Sequence, residues 1–575
     1  MAKAAPPPGG ASASGQNQLG QVARSSSLNL IGALMSALST TGITVLVTRA
    51  FPKETAGAFF AASSAYFIVK TLATLGANNG LVYFIARLRA LGEDRRLQAI
   101  MRSAVLAVSF GSLLAMVALF ILAEPLGGFL LGRGTGTNVP DSEVQAAANA
   151  VRVLALMVPF GALLDTLTGA ARGYRQMRPT VLIDKIGRSA VQVLGVGVAA
   201  ATGTAALIAP MWALPYVPAV ALAWVWLQRI RRKPSKRPPD PGAVPPELAV
   251  LLAMATPLPG SVPILPSPTK REGSRTKKRQ LANANPGGFW KFTVPRGLAS
   301  VSQIIVQRLG IVLVSVYHGA QQAAMFTAAS RLLVVGQLGN TALINAAQPR
   351  FTELFAQGDK HGANVVYRGT TAWLVLMTWP MFLLSLVFGP ELLLVFGKSY
   401  KAGFGVMMIL STSMLVSMAL GQVDMVLVTA GRSSWSLANG LMTVVGNIIA
   451  DILLIPRYGI TGAAIGWAVA IFISNVIPLF QLWITLGLHP FGRVSATACA
   501  ICAVSYGAVP LAIRIALGDH LVGVVAGMAA GTAVFAAGLW WQRGPLQLAS
   551  MPGVSAIQKR LKKRRAKQEP EEDYW

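Results

Sequence analysis

Five ionisable residues of this chain, Lys70, Asp165, Arg308, Arg331 and Asp424, stand inside long apolar stretches. A charge near the centre of a bilayer costs about 2.5–3.5 kcal/mol on insertion scales, so such a residue faces a cavity or a partner. Three of the five are cations. Facing a cavity, Lys70, Arg308 and Arg331 could hold an anion, with arginine able to bond it through two parallel N–H groups. The carboxylates of Asp165 and Asp424 could each take up a proton or a sodium ion and so bias an inward–outward equilibrium. Structural alternatives stand beside these readings. Lys70 and Arg308 could pair with an acid or snorkel to an interface, and Arg331 could serve helix packing. Either aspartate could make an ion pair or hydrogen bond within its own half.

Catalytic and metal chemistry finds no support in the residue types. Cys499 and Cys502 are spaced as Cys-x-x-Cys but lie within one apolar stretch, as buried small hydrophobes do. His318, His361, His489 and His520 are scattered without ligand spacing. Gly397-Lys398-Ser399 resembles the end of a phosphate-binding loop, yet Leu392 stands where the loop requires glycine, so ATP is not expected as the direct energy source. No catalytic residue, cofactor or metal is expected.

The elements that must position the five charges are membrane helices. The composition is 53% hydrophobic and 12% charged, with 57 glycines in 575 residues. Apolar stretches fall at 28–48, 56–86, 103–123, 148–170, 180–202, 205–227, 292–316, 322–347, 370–389, 404–429, 435–455, 461–484, 494–515 and 520–541. Each approaches the roughly 20 residues that a helix needs to cross about 30 Å of hydrocarbon. A transmembrane β-barrel would show alternating runs of about ten residues, and the sequence has none. The expected fold class is an all-α integral membrane protein with about fourteen transmembrane helices.

The formal net charge of +29 would suggest nucleic acid in a soluble chain. Here topology accounts for it, and nucleic acid is not an expected partner. With the N-terminus inside, cytoplasmic gaps hold Arg87, Arg89, Arg95, Arg96, Arg172, Arg175 and Arg178, and later Arg350, Lys360, Arg432 and Arg493. The opposite gaps hold sparse basic residues such as Lys53, Arg133, Lys398, Lys401 and Arg457. This positive-inside bias and an even span count place both termini in the cytoplasm. Residues 1–26 read as a disordered tail. Residues 229–290 read as a basic, proline-rich cytoplasmic linker whose Leu248–Met254 is too short to span. The tail 543–575 carries the basic run Lys559 to Arg565, which would be held at anionic lipid headgroups at about 1 kcal/mol per residue.

The chain also echoes itself. Pro125-Leu-Gly-Gly-Phe-Leu-Leu-Gly132 ends the third stretch, and Pro390-Glu-Leu-Leu-Leu-Val-Phe-Gly397 ends the ninth. Asp165 precedes Gly169-Ala-Ala-Arg172, and Asp424 precedes Thr429-Ala-Gly-Arg432. Gly203-Thr-Ala-Ala opens the sixth stretch and Gly462-Ala-Ala-Ile the twelfth. The echoes keep one order and one side of the membrane, implying two six-helix halves, 27–228 and 291–485. These would be related by a pseudo-two-fold axis along the membrane normal, with residues 486–542 adding two helices. Such duplication suits alternating access to a cavity between the halves. Asp451 is read as an outer-end residue of the eleventh stretch, and Asn340 and Asn447 as bonds to neighbouring helices.

Several segments together resemble the polysaccharide-transport branch of the multidrug/oligosaccharidyl-lipid/polysaccharide exporter superfamily. They are Phe292–Pro295, Ala328-Ala-Ser-Arg331, Pro349-Arg-Phe with Gly358-Asp-Lys, and Phe388 to Tyr400. Ala430-Gly-Arg432, Asn447, Ile455 to Ile465 and, in the first half, Gly169 to Met177 complete the set. The resemblance covers roughly residues 25–541. It implies a flippase that moves a polyprenyl-diphosphate-linked oligosaccharide across a bacterial cytoplasmic membrane for cell-surface polysaccharide synthesis. Lys70, Arg308 and Arg331 would then meet the diphosphate, and the polyprenyl tail would stay in lipid. Polysaccharide-synthesis proteins are possible partners. Within the superfamily a lipid II flippase or a cation-coupled drug exporter is the alternative. A drug exporter taking cations should line its cavity with carboxylates, whereas the charges here are mainly Lys and Arg. Outside it, a membrane polymerase, ligase or glycosyltransferase would need catalytic carboxylates or a metal, which the long loop lacks.

Overall fold

The computed structural model describes residues 12–133, 139–232, 285–518 and 521–542. Among them every regular element is a helix. Most of the expected linker, including Leu248–Met254, lies outside the described residues, as do His520, residues 1–11 and the basic tail.

Span 1 is Ser12–Ala50, which starts inside the stretch expected to be a disordered tail. Span 2 is Lys53–Thr74 and Ala77–Leu91, interrupted at Leu75 and Gly76. Span 3 is Asp94–Ile121, followed by the short helix Ala123–Leu130. Span 4 is Asp141–Leu156 with Val158–Gly173, and span 5 is a π-helix, Thr180–Arg188, running into Ser189–Thr202. Span 6 is Ile208–Ala213 with Tyr216–Arg232. The helix Pro286–Gly336 turns at Gly319 to make span 7 and the start of span 8, which Leu338–Ala356 completes. Span 9 is Lys360–Val387, again followed by a short helix, Gly389–Leu393. Span 10 is Phe404–Ala419 with Val423–Thr429, and Ser433–Leu486 turns at Gly459 into spans 11 and 12. Span 13 is Arg493–Cys502, a π-helix Ala503–Ala508 and Val509–Leu517, and span 14 is Leu521–Trp541.

Eleven ranges are long and apolar enough to cross a membrane. Two of them fold back at a glycine, and residues 180–202 supply one more, so the described residues carry the expected fourteen spans. Both turns sit in backbone conformations that a side chain disfavours: Gly319 at φ 81°, ψ 170° and Gly459 at φ 56°, ψ −131°. Glycine there lets two apolar helices follow one another with almost no connecting loop.

The chain is a multi-pass membrane protein, and its surface says so. Phe110 is 71% exposed, Leu194 70% and Ile484 71%. Apolar side chains shown this freely all around a helical bundle are matched to lipid, not water. We call inner the end that carries Arg87, Arg89, Arg95 and Arg96.

Spans 2 and 7 run along each other for most of their length. Near the outer end the backbones of Gly57 and Ala320 touch, so a Cβ at 57 would fall 1.7 Å from the Ala320 carbonyl oxygen. Near the inner end Tyr83 stacks on Phe292 with ring centroids 4.4 Å apart. Trp290 donates its indole N–H to Ser103 across 3.1 Å. One apolar core therefore joins both parts of the chain, from Val47, Tyr66 and Leu81 to Phe289, Phe326 and Leu410. Span 13 packs on span 9 through Ala372, Val375, Ala498 and Cys502, and span 14 packs on span 13. Cys502 is fully buried there, filling space as a small core residue.

Candidate functional site

Span 2 brings its lysine against span 4. Lys70 Nζ lies 2.8 Å from Asp165 Oδ2, and the lysine is buried. Two of the five charges are thus one ion pair within the first six spans. Gly161, one turn before Asp165, makes the approach possible. A Cβ there would stand 2.2 Å from the Tyr66 hydroxyl and 2.8 Å from Lys70 Cδ. Tyr66, Phe67 and Phe59 surround Trp212 edge-on at centroid distances of 5.6 to 6.0 Å, an arrangement aromatic quadrupoles favour. This cluster holds the middle of span 2 rigidly against span 6.

Beside the pair lies a cavity of about 250 Å³ between spans 1, 2, 5, 6, 7 and 8. One wall is aromatic, with Phe59, Phe60, Phe67 and Trp212. Another carries the hydroxyls of Ser36, Ser39, Thr40 and Thr44 on span 1. Three arginines enter it: Arg188, Arg308 and Arg331, with no carboxylate among the lining residues. The Arg308 guanidinium stacks 4.6 Å from the centroid of the Phe67 ring, a cation–π contact that orients it without neutralising it. Neither Arg308 nor Arg331 has an ion pair or hydrogen bond among the described residues, and Arg331 Nε is buried without an acceptor. A buried guanidinium with open donors is costly unless an anion or water meets it. Arg308 and Arg331 were both expected from the sequence, and the fold gathers them from two spans into one cavity.

Arg188 was not expected. It stands at the end of the π-helix in span 5, where Asp184 accepts from its Nε at 2.8 Å and Gln192 from Nη1 at 2.7 Å. Gln192 in turn donates to the Trp212 carbonyl oxygen at 2.6 Å. Its guanidinium also lies 4.6 Å from the Tyr216 ring centroid. Wide π turns inside helices are often found at functional positions because they re-aim side chains. The visible signal was the Asp184–Arg188 spacing of four within an apolar stretch, the spacing of an intrahelical pair.

The remaining acidic residues lie elsewhere. Asp424 is exposed at the start of Val423–Thr429, where its carboxylate accepts from the Ser436 hydroxyl at 2.5 Å. It does not join the cavity, because span 10 breaks before it. Asp451, read from sequence as an outer-end residue of span 11, lies in the outer half of that span, before the turn at Gly459, and is 1% exposed, packed against Gly466 of span 12. Asn447, one turn earlier, is equally buried, and both residues keep a side-chain oxygen with no donor among the described residues. Asn439 and Gln481 exchange two hydrogen bonds on the same face, at 2.7 and 3.0 Å. The polar stripe therefore joins spans 11 and 12 at one end and offers two open acceptors at the other. A proton or a monovalent cation would satisfy them.

At the outer end the two parts of the chain are fastened together. Arg49 donates from Nε to the Val395 carbonyl oxygen at 2.9 Å, and from Nη2 to that of Leu394. Lys53 donates to the Ser399 carbonyl oxygen at 3.3 Å, and Gln321 bonds Glu54. Ser315 donates to the Leu130 carbonyl oxygen. An outer cleft of about 410 Å³, lined by His318, Gln322 and Arg457, is larger than the arginine cavity but opens on the surface.

No protein-family model and no curated protein sequence matches this chain. Solved structures do. An inward-facing multidrug resistance MATE family transporter of the MOP superfamily is 13% identical, covering 80% of this chain and 98% of its own, with TM-score 0.58. The lipid II flippase MurJ in an inward closed conformation is 11% identical, covering 90% and 99%, with TM-score 0.63. A MOP superfamily transporter from Pyrococcus furiosus, whose binding pocket is described as having reversed polarity, is 14% identical. It covers 81% and 95%, with TM-score 0.50. At these identities what is shared is the fold, that of MOP superfamily transporters.

Proposed function

We propose that this chain is a flippase that carries a polyprenyl-diphosphate-linked oligosaccharide from the inner to the outer leaflet of a bacterial cytoplasmic membrane, with both termini in the cytoplasm. It acts as a transporter and not as an enzyme. The observation that carries this reading is the cavity with Arg188, Arg308 and Arg331 and no lining carboxylate. Planar guanidinium groups with free donors match the oxygens of a diphosphate. A cavity of about 250 Å³ is smaller than sites that enclose drug-sized ligands. It suits the charged link of the substrate, with the lipid tail left in the bilayer. The same anion is the shared chemistry of a lipid II substrate, so the glycan is what the test must vary.

The halves 27–228 and 291–485 would rock about the cavity, and an ion gradient would drive the cycle. A coupling carboxylate has to be buried enough for its charge state to bias conformation. Asp451 has that burial and Asp165 is half-buried against Lys70, while Asp424 lies exposed beside Ser436. A cation-exporting reading draws no support from a cavity lined by three cations.

The test is purified protein in liposomes with a fluorescent polyprenyl-diphosphate oligosaccharide, scored by exposure to an impermeant reagent. Loss of leaflet protection that depends on the protein and weakens in Arg308→Ala is the expected result. An inert protein in this assay that moves an organic cation down a gradient would transfer the assignment to a drug exporter.

A further inference from the structure

The Lys70–Asp165 pair sits beside the arginine cavity rather than in it, and a single ring separates the two. Phe67 lines the cavity. Its ring centroid is 4.6 Å from the Arg308 guanidinium carbon and 5.5 Å from Lys70 Nζ. Lys70 thus lies one side chain away from the space where an anion would rest, on a flexible four-carbon stem with three rotatable donors. Asp165 depends on it. No other donor reaches the Asp165 carboxylate among the described residues.

We propose that Lys70 exchanges partners during binding: an anion entering the cavity draws Lys70 from Asp165, and the freed carboxylate takes a proton. This rests on the anion-binding reading above. In the step, the N–H···O contact of Lys70 to Asp165 is replaced by one to a phosphate oxygen, and the ammonium keeps its protons. A proton from bulk solvent neutralises Asp165, a half-buried carboxylate otherwise left without a donor among the described residues. One positive charge therefore enters the first half with each anion bound.

The groups around Asp165 are consistent with this exchange. Span 2 presents Tyr66 with Lys70, and Arg172 stands at the inner end of span 4 itself. Span 5 contributes Asp184, held by Arg188, and Lys185, and span 6 contributes Tyr216. Of the remaining charges of spans 2 and 3, Arg87, Arg89, Asp94, Arg95, Arg96 and Arg102 belong to the inner ends of those helices and Lys53 and Glu54 to the outer end, and Arg152 of span 4 pairs with Glu124. Lys70 is the group in hydrogen-bond contact with the carboxylate.

Isothermal calorimetry of the full-length protein with inorganic pyrophosphate, in two buffers of different ionisation enthalpy, measures the protons taken up per anion. Net uptake approaching one proton is expected, abolished in Asp165→Asn while pyrophosphate still binds. An infrared difference spectrum of the native protein gives a second readout, in which pyrophosphate should raise a band of protonated carboxylic acid. Binding without proton uptake and without that band overturns the exchange but leaves the anion site standing. Failure of pyrophosphate to bind at all overturns both.

Discussion

Lys70 of span 2 and Asp165 of span 4 meet at 2.8 Å with the lysine buried. Removing Asp165 leaves the lysine buried and alone, at a cost of about 3–5 kcal/mol, and removing Lys70 costs less because solvent reaches the half-buried Asp165 carboxylate. Lys70→Met and Asp165→Leu should each lower the unfolding midpoint in detergent, and the double variant should recover most of the loss. A double-mutant cycle that shows simple additivity would mean the pair contributes nothing beyond its separate members.

Arg331 presents the opposite case, a half-buried cation whose Nε is buried with no partner among the described residues. Arg331→Gln should leave thermal stability unchanged or raise it. A charge-assisted hydrogen bond contributes roughly 1.5–3 kcal/mol, so pyrophosphate affinity should fall about ten- to a hundred-fold. Calorimetric titration of the variant decides whether stability and affinity part company in this way.

At Gly161 a methyl group would collide with the Tyr66 hydroxyl and the Lys70 stem. Overpacking of this kind costs about 1–3 kcal/mol. Gly161→Ala should therefore lower the melting temperature, and adding Tyr66→Phe, which removes the nearest atom, should restore part of it.

Asp451 and Asn447 hold open acceptors in a buried site. If a proton or cation fills it, the melting temperature of the native protein should rise with sodium concentration or with acidification. Asp451→Asn should abolish that response. A native protein indifferent to both would remove this site from any coupling role.

The outer fastening gives a conformational prediction. Arg49 supplies two of its bonds. Arg49→Ala should raise the rate at which an impermeant maleimide added outside labels a cysteine placed at Ser39, after Cys499 and Cys502 are replaced. Two bonds to a charged donor suggest a shift of at least tenfold in the open population.

Much of this molecule was legible before it was seen. Hydropathy located every span because lipid demands long uninterrupted apolar helices. The cationic character of the cavity was legible in Arg308 and Arg331, since a charge in mid-membrane must face a cavity or a partner. What the pattern could not supply was pairing across spans. Lys70 and Asp165 stand far apart in sequence, and nothing local says that Gly161 clears the space between them. Arg188 escaped because its stretch reads as an ordinary span, and the π turn that aims it leaves no mark in composition. The burial of Asp451 escaped because a one-dimensional count sets depth and says nothing of which face meets span 12.

The bonds from Arg49 and Lys53 end on carbonyl oxygens of Leu394, Val395 and Ser399 rather than on side chains. Peptide carbonyls are present whatever residue carries them. These bonds of the outer fastening, unlike that of Gln321 to Glu54, therefore restrict sequence on one side only. Drift at 394, 395 and 399 can proceed with the fastening intact, provided the backbone path holds, whereas a change at 49 or 53 dissolves it. In relatives of this chain the two sides should consequently have aged at different rates.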